Sequence, residues 1–109
     1  MGLFRIGKSK TTAQESVNEK TKDRVREPKL FNVIMLNDDF TTMEFVVDVL
    51  IKVFGKDKAS AEALMLTVHN SGKAAVGRYP YDIALTKVGK AMNLAKEKGY
   101  PFRMTVEEA

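Results

Sequence analysis

Residues 30–50 read LFNVIMLNDDFTTMEFVVDVL: an apolar run, an acidic interruption and a second apolar run in immediate succession. The first seven, LFNVIML, are rich in strand formers and too short for a helix, so they predict a buried strand. The change of state falls at Asn37-Asp38-Asp39. Beyond it, Thr41 and Glu44 fit the T-x-x-E capping box, and Phe40 and Phe45 are spaced as its hydrophobic staple. Glu44 also brings a negative charge to the first turn, where the helix dipole favours one. From Met43 to Phe54 only Glu44, Asp48 and Lys52 are polar, at i, i+4 and i+8. The helix they mark therefore needs cover around most of its circumference.

Working outward, Gly55 is a helix stop, and a second helix is predicted from near Asp57, with Ala61, Leu64, Met65 and Val68 on one face. It ends near His69-Asn70-Ser71-Gly72. KAAVGRY (73–79) reads as a strand. Pro80 then opens a third helix with Ile83, Val88, Ala91, Met92 and Ala95 at helical spacing, closed by Gly99 and Pro101. FRMTVE (102–107) alternates Phe102, Met104 and Val106 with polar residues, the pattern of a half-buried strand. The order is β-α-α-β-α-β without an internal repeat. It predicts a small α+β domain with helices packed on one face of a three-stranded, antiparallel-type sheet.

Composition narrows the function classes. With 109 residues and no cysteine, the chain makes one small domain with neither disulfides nor thiolate metal sites, as suits a reducing compartment. The longest strongly apolar stretch, Val46–Phe54, is interrupted by charge and far too short to span a bilayer. The N-terminus lacks the apolar core of a signal peptide and is too acidic for a transit peptide. A soluble, cytoplasmic protein without a membrane partner is expected. The net charge of +4 is local: residues 1–29 carry eight Lys/Arg and four Asp/Glu, and residues 30–109 carry ten of each. A flexible basic extension is expected over 1–29 and the folded domain over 30–109. Such an extension can attract nucleic acid, but only Phe4 interleaves with the basic residues, so no nucleic-acid partner is expected. Gly2–Ser9, GLFRIGKS, matches the phosphate-loop pattern in letters. It lacks the preceding strand and following helix that make backbone N–H groups converge on phosphate.

The polar residues around the first turn leave several chemistries open. Asn37, Asp38 and Asp39 stand between the first strand and first helix, and His69, the only histidine, stands at the end of the second helix. A helical hairpin about Gly55-Lys56-Asp57 would bring them together beside Met43, Met65 and Val68. Asp38, Asp39 and His69 are the minimum for a catalytic zinc, although adjacent aspartates point different ways. Acid–base catalysis would need a pocket for a reacting group, and no Ser or Cys nucleophile is evident nearby. An Asx turn beside a surface histidine is the plainest reading. The fourth is recognition of a small cation. An ammonium has three donors and no acceptor, so it suits an amide carbonyl, a carboxylate and a neutral imidazole nitrogen. A methionine-lined apolar cavity beneath would take a large unbranched or aromatic side chain.

LNDDFTTMEFVVDVL (36–50), LMLTVHNSGKA (64–74) and Leu85-Thr86-Lys87 resemble ClpS, the family of adaptors that feed N-degron substrates to ClpA- or ClpC-type AAA+ unfoldases. The resemblance runs over about residues 28–107. It implies no catalysis and no cofactor, a monomeric adaptor, and a preference for N-terminal Leu, Phe, Tyr and Trp. Asn37, Asp38 and His69 would hold the substrate α-amino group, with Asp39 and Thr41 shaping the loop. Asp38 is expected to face the ligand and Asp39 to support the turn. Met43 would gate the rim against β-branched side chains, and Val46, Met65, Val68 and Phe102 would line the cavity. The unfoldase would contact a face including Asp82 and Lys87, and the N-terminal extension would assist handover. Three positions depart from the family pattern: Thr42 where proline is usual, Leu85 where glutamate is usual, and Phe102 where many relatives have leucine.

Overall fold

A computed structural model describes residues 27–109. The extension expected over 1–29 therefore lies, up to residue 26, outside the described residues, as does the phosphate-loop-like Gly2–Ser9. The elements are β1 (Leu30–Leu36), α1 (Met43–Lys52), α2 (Lys58–Ser71), β2 (Lys73–Pro80), α3 (Tyr81–Glu97) and β3 (Arg103–Glu108). The α+β order β-α-α-β-α-β is thus as the sequence predicts. The strands form one antiparallel sheet in the order β2-β1-β3, placing β1 at its centre.

Alternation along β1 puts Val33 and Met35, both fully buried, on the helix-covered face. The register between β1 and β2 slips between Val33, opposite Gly77, and Ile34, opposite Ala75. Two residues of β2 therefore face one step of β1, a bulge that lets Val76 turn into the core. α3 packs across all three strands, while α1 and α2 pair as a hairpin, with α2 also against β2.

Two helix faces differ from the sequence expectation. In α1, Phe45, Val49 and Leu50 are buried, but Met43 and Ile51 are exposed. The helix is covered on one side by the core and α2, not around most of its circumference. In α3 the buried stripe is Ala84, Ala91 and Ala95, with Val88 partly covered, while Ile83 and Met92 face outward. Small side chains let the helix lie close to the sheet, so its rotation favours alanines over the larger apolar residues beside them.

The start of α1 is also shifted by one residue. Thr42, extended at φ −75° and ψ 150°, is the N-cap, and its Oγ1 accepts the Phe45 N–H at 3.1 Å. Thr41, the expected cap, is engaged instead by Asp38, and Phe40 is 75% exposed, so the predicted staple does not form. Threonine at 42 thus supplies a side-chain cap that a proline there cannot. Asp57, near which the second helix was expected to start, caps α2 by accepting the Ser60 N–H at 2.8 Å.

Candidate functional site

The loop between β1 and α1 is organised by one carboxylate. Asp38 Oδ1 accepts the N–H groups of Phe40 at 2.8 Å and Thr41 at 2.7 Å, and Oδ2 accepts the Thr41 hydroxyl at 2.7 Å. Burial pushes the Asp38 carboxyl up, but these three donors outweigh it and hold the group below its ordinary value. The expected division of labour is therefore different: Asp38 ties the turn, whereas Asp39 is exposed and has no side-chain hydrogen bond among the described residues. A carboxylate has about four acceptor sites. With three filled by the loop, Asp38 keeps one for an external donor.

A second tie joins this loop to the end of α2. Gly72 closes α2 in the left-handed region, at φ 92°, donating its N–H to Val68 O at 2.8 Å. Its own carbonyl accepts the Asn37 N–H at 2.9 Å. One residue therefore fixes both the last turn of α2, which carries Val68 and His69, and the first residue of the acceptor loop. The sequence reading placed Gly72 at the helix end but missed this link. Its signal was a glycine at a helix stop directly before a strand.

The result is a cavity of about 220 Å³ lined by residues from five segments. All ten residues singled out in the sequence line it: Asn37, Asp38, Asp39 and Thr41 from the loop, Met43 and Val46 from α1, Met65, Val68 and His69 from α2, and Phe102 before β3. Leu36, the last residue of β1, lines it too and was not anticipated. Val68 and Phe102 are buried, Val46 and Met65 half-buried, and Asn37, Asp39 and His69 exposed. The wall is thus apolar below and rich in acceptors above. Phe102 is braced from behind, its ring 5.8 Å edge-on from Phe45, which also meets Tyr100 at 5.1 Å. Such aromatic pairs add roughly 0.5–1.5 kcal/mol beyond burial and fix ring orientation. Met43, 43% exposed, stands at the rim.

Asp38, Asp39 and His69 do not make a three-ligand metal cluster; none is found among the described residues. Nor is any described helix long and apolar enough to cross a membrane. The residues expected at an unfoldase interface lie on α3, away from the cavity lining. Asp82 is exposed in the first turn, and Leu85 is exposed one turn on. Lys87 is half-buried, donating to Val53 O at the end of α1 at 3.0 Å and lying 5.3 Å from the Tyr79 ring centre. At 100° per residue, Asp82 and Lys87 are about 140° apart around the helix and do not share a stripe.

Fold and cavity together define a class: a small α+β binding domain with an acceptor-lined mouth over an apolar floor. Comparison makes this specific. The family model described as ATP-dependent Clp protease adaptor protein ClpS matches residues 26–105. A Clostridium acetobutylicum relative called ATP-dependent Clp protease adapter protein ClpS is 44% identical over 99 residues, covering 91% of this chain and 96% of its own length. A Wolinella succinogenes relative of the same name is 50% identical over 84 residues, covering 77% and 82%. Among solved structures, Agrobacterium tumefaciens ClpS2 bound to L-phenylalaninamide is 42% identical with a TM-score of 0.74, covering 76% of this chain and all of that one. The chain belongs to the ClpS family of Clp protease adaptors, and it is an adaptor and not an enzyme.

Proposed function

We propose that the cavity receives the first residue of a protein substrate, its α-amino group at the mouth and its side chain in the floor. The observation that carries this is the composition of one wall. The Asn37 amide oxygen, the remaining acceptor site of Asp38 and an unprotonated nitrogen of His69 can meet the three donors of an ammonium, above Val46, Met65, Val68 and Phe102. Thr41, bonded to Asp38, shapes the loop around them. The Agrobacterium tumefaciens relative is bound to L-phenylalaninamide, which carries a free amine and a benzyl group.

Size supports large side chains. An apolar cavity of about 150 Å³ takes a benzene ring, and this one measures about 220 Å³. N-terminal Leu, Phe, Tyr and Trp are the preferred residues, and Met43 at the rim disfavours branching at Cβ. The adaptor works as a cytoplasmic monomer. It hands substrate to a ClpA- or ClpC-type unfoldase through a surface that includes Asp82 and Lys87, which lie on different sides of α3, with residues 1–29 assisting. The exposed Leu85 gives that surface an apolar contribution in place of charge.

Fluorescence anisotropy with labelled peptides beginning Phe, Leu, Ile or Met, and with an acetylated Phe peptide, tests the reading. Binding of Phe and Leu that acetylation abolishes is expected. Binding that survives acetylation would overturn amine recognition.

A further inference from the structure

The sheet runs β2-β1-β3, so β3 has β1 on one side and no strand on the other among the described residues. Ala109 donates its N–H to Leu30 O at 3.2 Å, which makes Leu30 and Ala109 a hydrogen-bonded pair. Alternation from that pair turns the N–H and C=O groups of Thr105 and Glu107 toward β1, and those of Met104, Val106 and Glu108 outward. Above this edge lies α3, the helix that packs on β3. Tyr81, Leu85, Val88 and Met92 fall within about 60° of one another around it, at roughly 100° per residue. Tyr81, Leu85 and Met92 are 50%, 45% and 36% exposed, and Val88 is partly buried. Lys87, roughly opposite Leu85 on the helix, is tied to Val53 O at the end of α1. The apolar stripe therefore faces away from α1, on the side of β3. An open strand edge and an uncovered apolar stripe stand side by side.

The chain itself holds a segment that fits both. Residues 1–26 lead into the sheet beside this edge, since Lys29 pairs with Glu108 at 2.7 Å and Leu30 with Ala109. Gly2–Ser9, whose letters match a phosphate loop without its scaffold, holds Leu3, Phe4, Arg5 and Ile6 between two glycines. In residues 7–26 the only apolar side chains are Ala13, Val17 and Val25. The segment from Ile6 to Leu30 reaches about 80 Å when extended, several times the roughly 20 Å length of β3.

We infer that residues 3–6 add a fourth strand to the outer edge of β3. Alternation along a strand places Phe4 and Ile6 on one face and Arg5 on the other. Phe4 and Ile6 then cover Leu85, Val88 and Met92. Arg5 stands on the helix-free face beside Glu107, which is exposed and has no ion-pair partner among the described residues. Backbone pairing supplies the affinity and the alternating side chains the register, as in strand addition at an open edge. The strand is independent of what the cavity holds. Leu85 also belongs to the surface proposed for the unfoldase, so docking there competes with the strand.

Hydrogen exchange followed by NMR on the full chain tests this at the Met104, Val106 and Glu108 amides. In the unmodified chain they are expected to exchange at least about tenfold more slowly than in a chain carrying Phe4→Asp and Ile6→Asp, the return for half-burying two large apolar side chains. Leu85→Glu, at an exposed position, is expected to abolish the same protection. The Thr105 and Glu107 amides, which face β1, should keep theirs in all three proteins. Because the chain has no cysteine, a nitroxide on Ser9→Cys gives a second readout in an otherwise unmodified chain. It should broaden the Met104 and Val106 amide signals and the Leu85 methyls of the same molecule. Edge amides that exchange equally fast in all three proteins would overturn the inference, as would a nitroxide that broadens none of these signals. Broadening seen only between a nitroxide-bearing copy and an isotope-labelled one would give the edge to a second copy and overturn it too. If Leu85→Glu also strips protection from Thr105, the nitroxide decides.

Discussion

Asp38→Ala separates the turn that this carboxylate holds together from the amine contact proposed for it. Removing it strands the N–H groups of Phe40 and Thr41 and the Thr41 hydroxyl. A buried charge-assisted bond contributes about 1.5–3 kcal/mol. Here Phe40 is exposed and Asp38 and Thr41 are only half-buried, so water replaces much of what is lost. A net destabilisation of about 1–2 kcal/mol follows, comparable with losing a helix cap, and for a domain of this size it lowers Tm by several degrees. Binding answers separately. If the remaining acceptor site meets the substrate amine, affinity for a Phe peptide should fall at least about tenfold, one charge-assisted bond. Thermal unfolding reads the first effect, and anisotropy well below Tm reads the second. Undiminished affinity would refute the amine contact, and an unchanged Tm would refute the turn. The same carboxylate sets an acid limit. Its folded pKa lies below the ordinary 3.8, so its stabilisation is complete at neutral pH and lost as pH falls below that value through the folded pKa. Acid titration should therefore unfold Asp38→Ala with a shallower pH dependence in this range than the unmodified chain.

Three further outcomes test the surrounding scaffold. Gly72→Ala forces a side chain into the left-handed region at φ 92°, where no neighbouring atom obstructs the added carbon. The cost is backbone strain, about 1–2 kcal/mol by chemical denaturation, and weaker peptide binding should accompany it because Asn37 and Val68 are both tied to this residue. Met43→Ala should leave Phe binding nearly intact and admit peptides beginning Ile or Val; continued rejection of both would remove the rim-gate role. Lys87→Met removes the donor to Val53 O and is expected to destabilise the domain by about 0.5–1.5 kcal/mol in thermal unfolding. A Tm unchanged while unfoldase binding falls would instead assign Lys87 wholly to docking.

The alternation of short apolar runs with long periodic ones made the element order legible, because strand and helix periods differ and glycines marked the helix ends. Local choices between near-equivalents were not legible. Thr41 and Thr42 both satisfy a cap pattern, and the winner was set by Asp38 drawing both Thr41 donors into the turn. Hydropathy ranks Ile83 and Met92 above Ala84 and Ala91, yet the helix rotates its small residues toward the sheet because they allow closer approach. At α1, periodicity could not report that only one side would be covered, which left Ile51 exposed.

By itself the sequence determined the inventory: the acceptors of the Asn37–Asp39 loop, the lone histidine at a helix end, the apolar stripes and the absence of cysteine. Their assembly belongs to the tertiary structure. Residues 37, 69 and 102 lie on separate elements. They share one cavity because the α1–α2 hairpin folds back, Gly72 bonds Asn37, and Phe45 braces Phe102. Chemical type is a property of each residue, whereas a site requires distances, and these are fixed only when the elements pack.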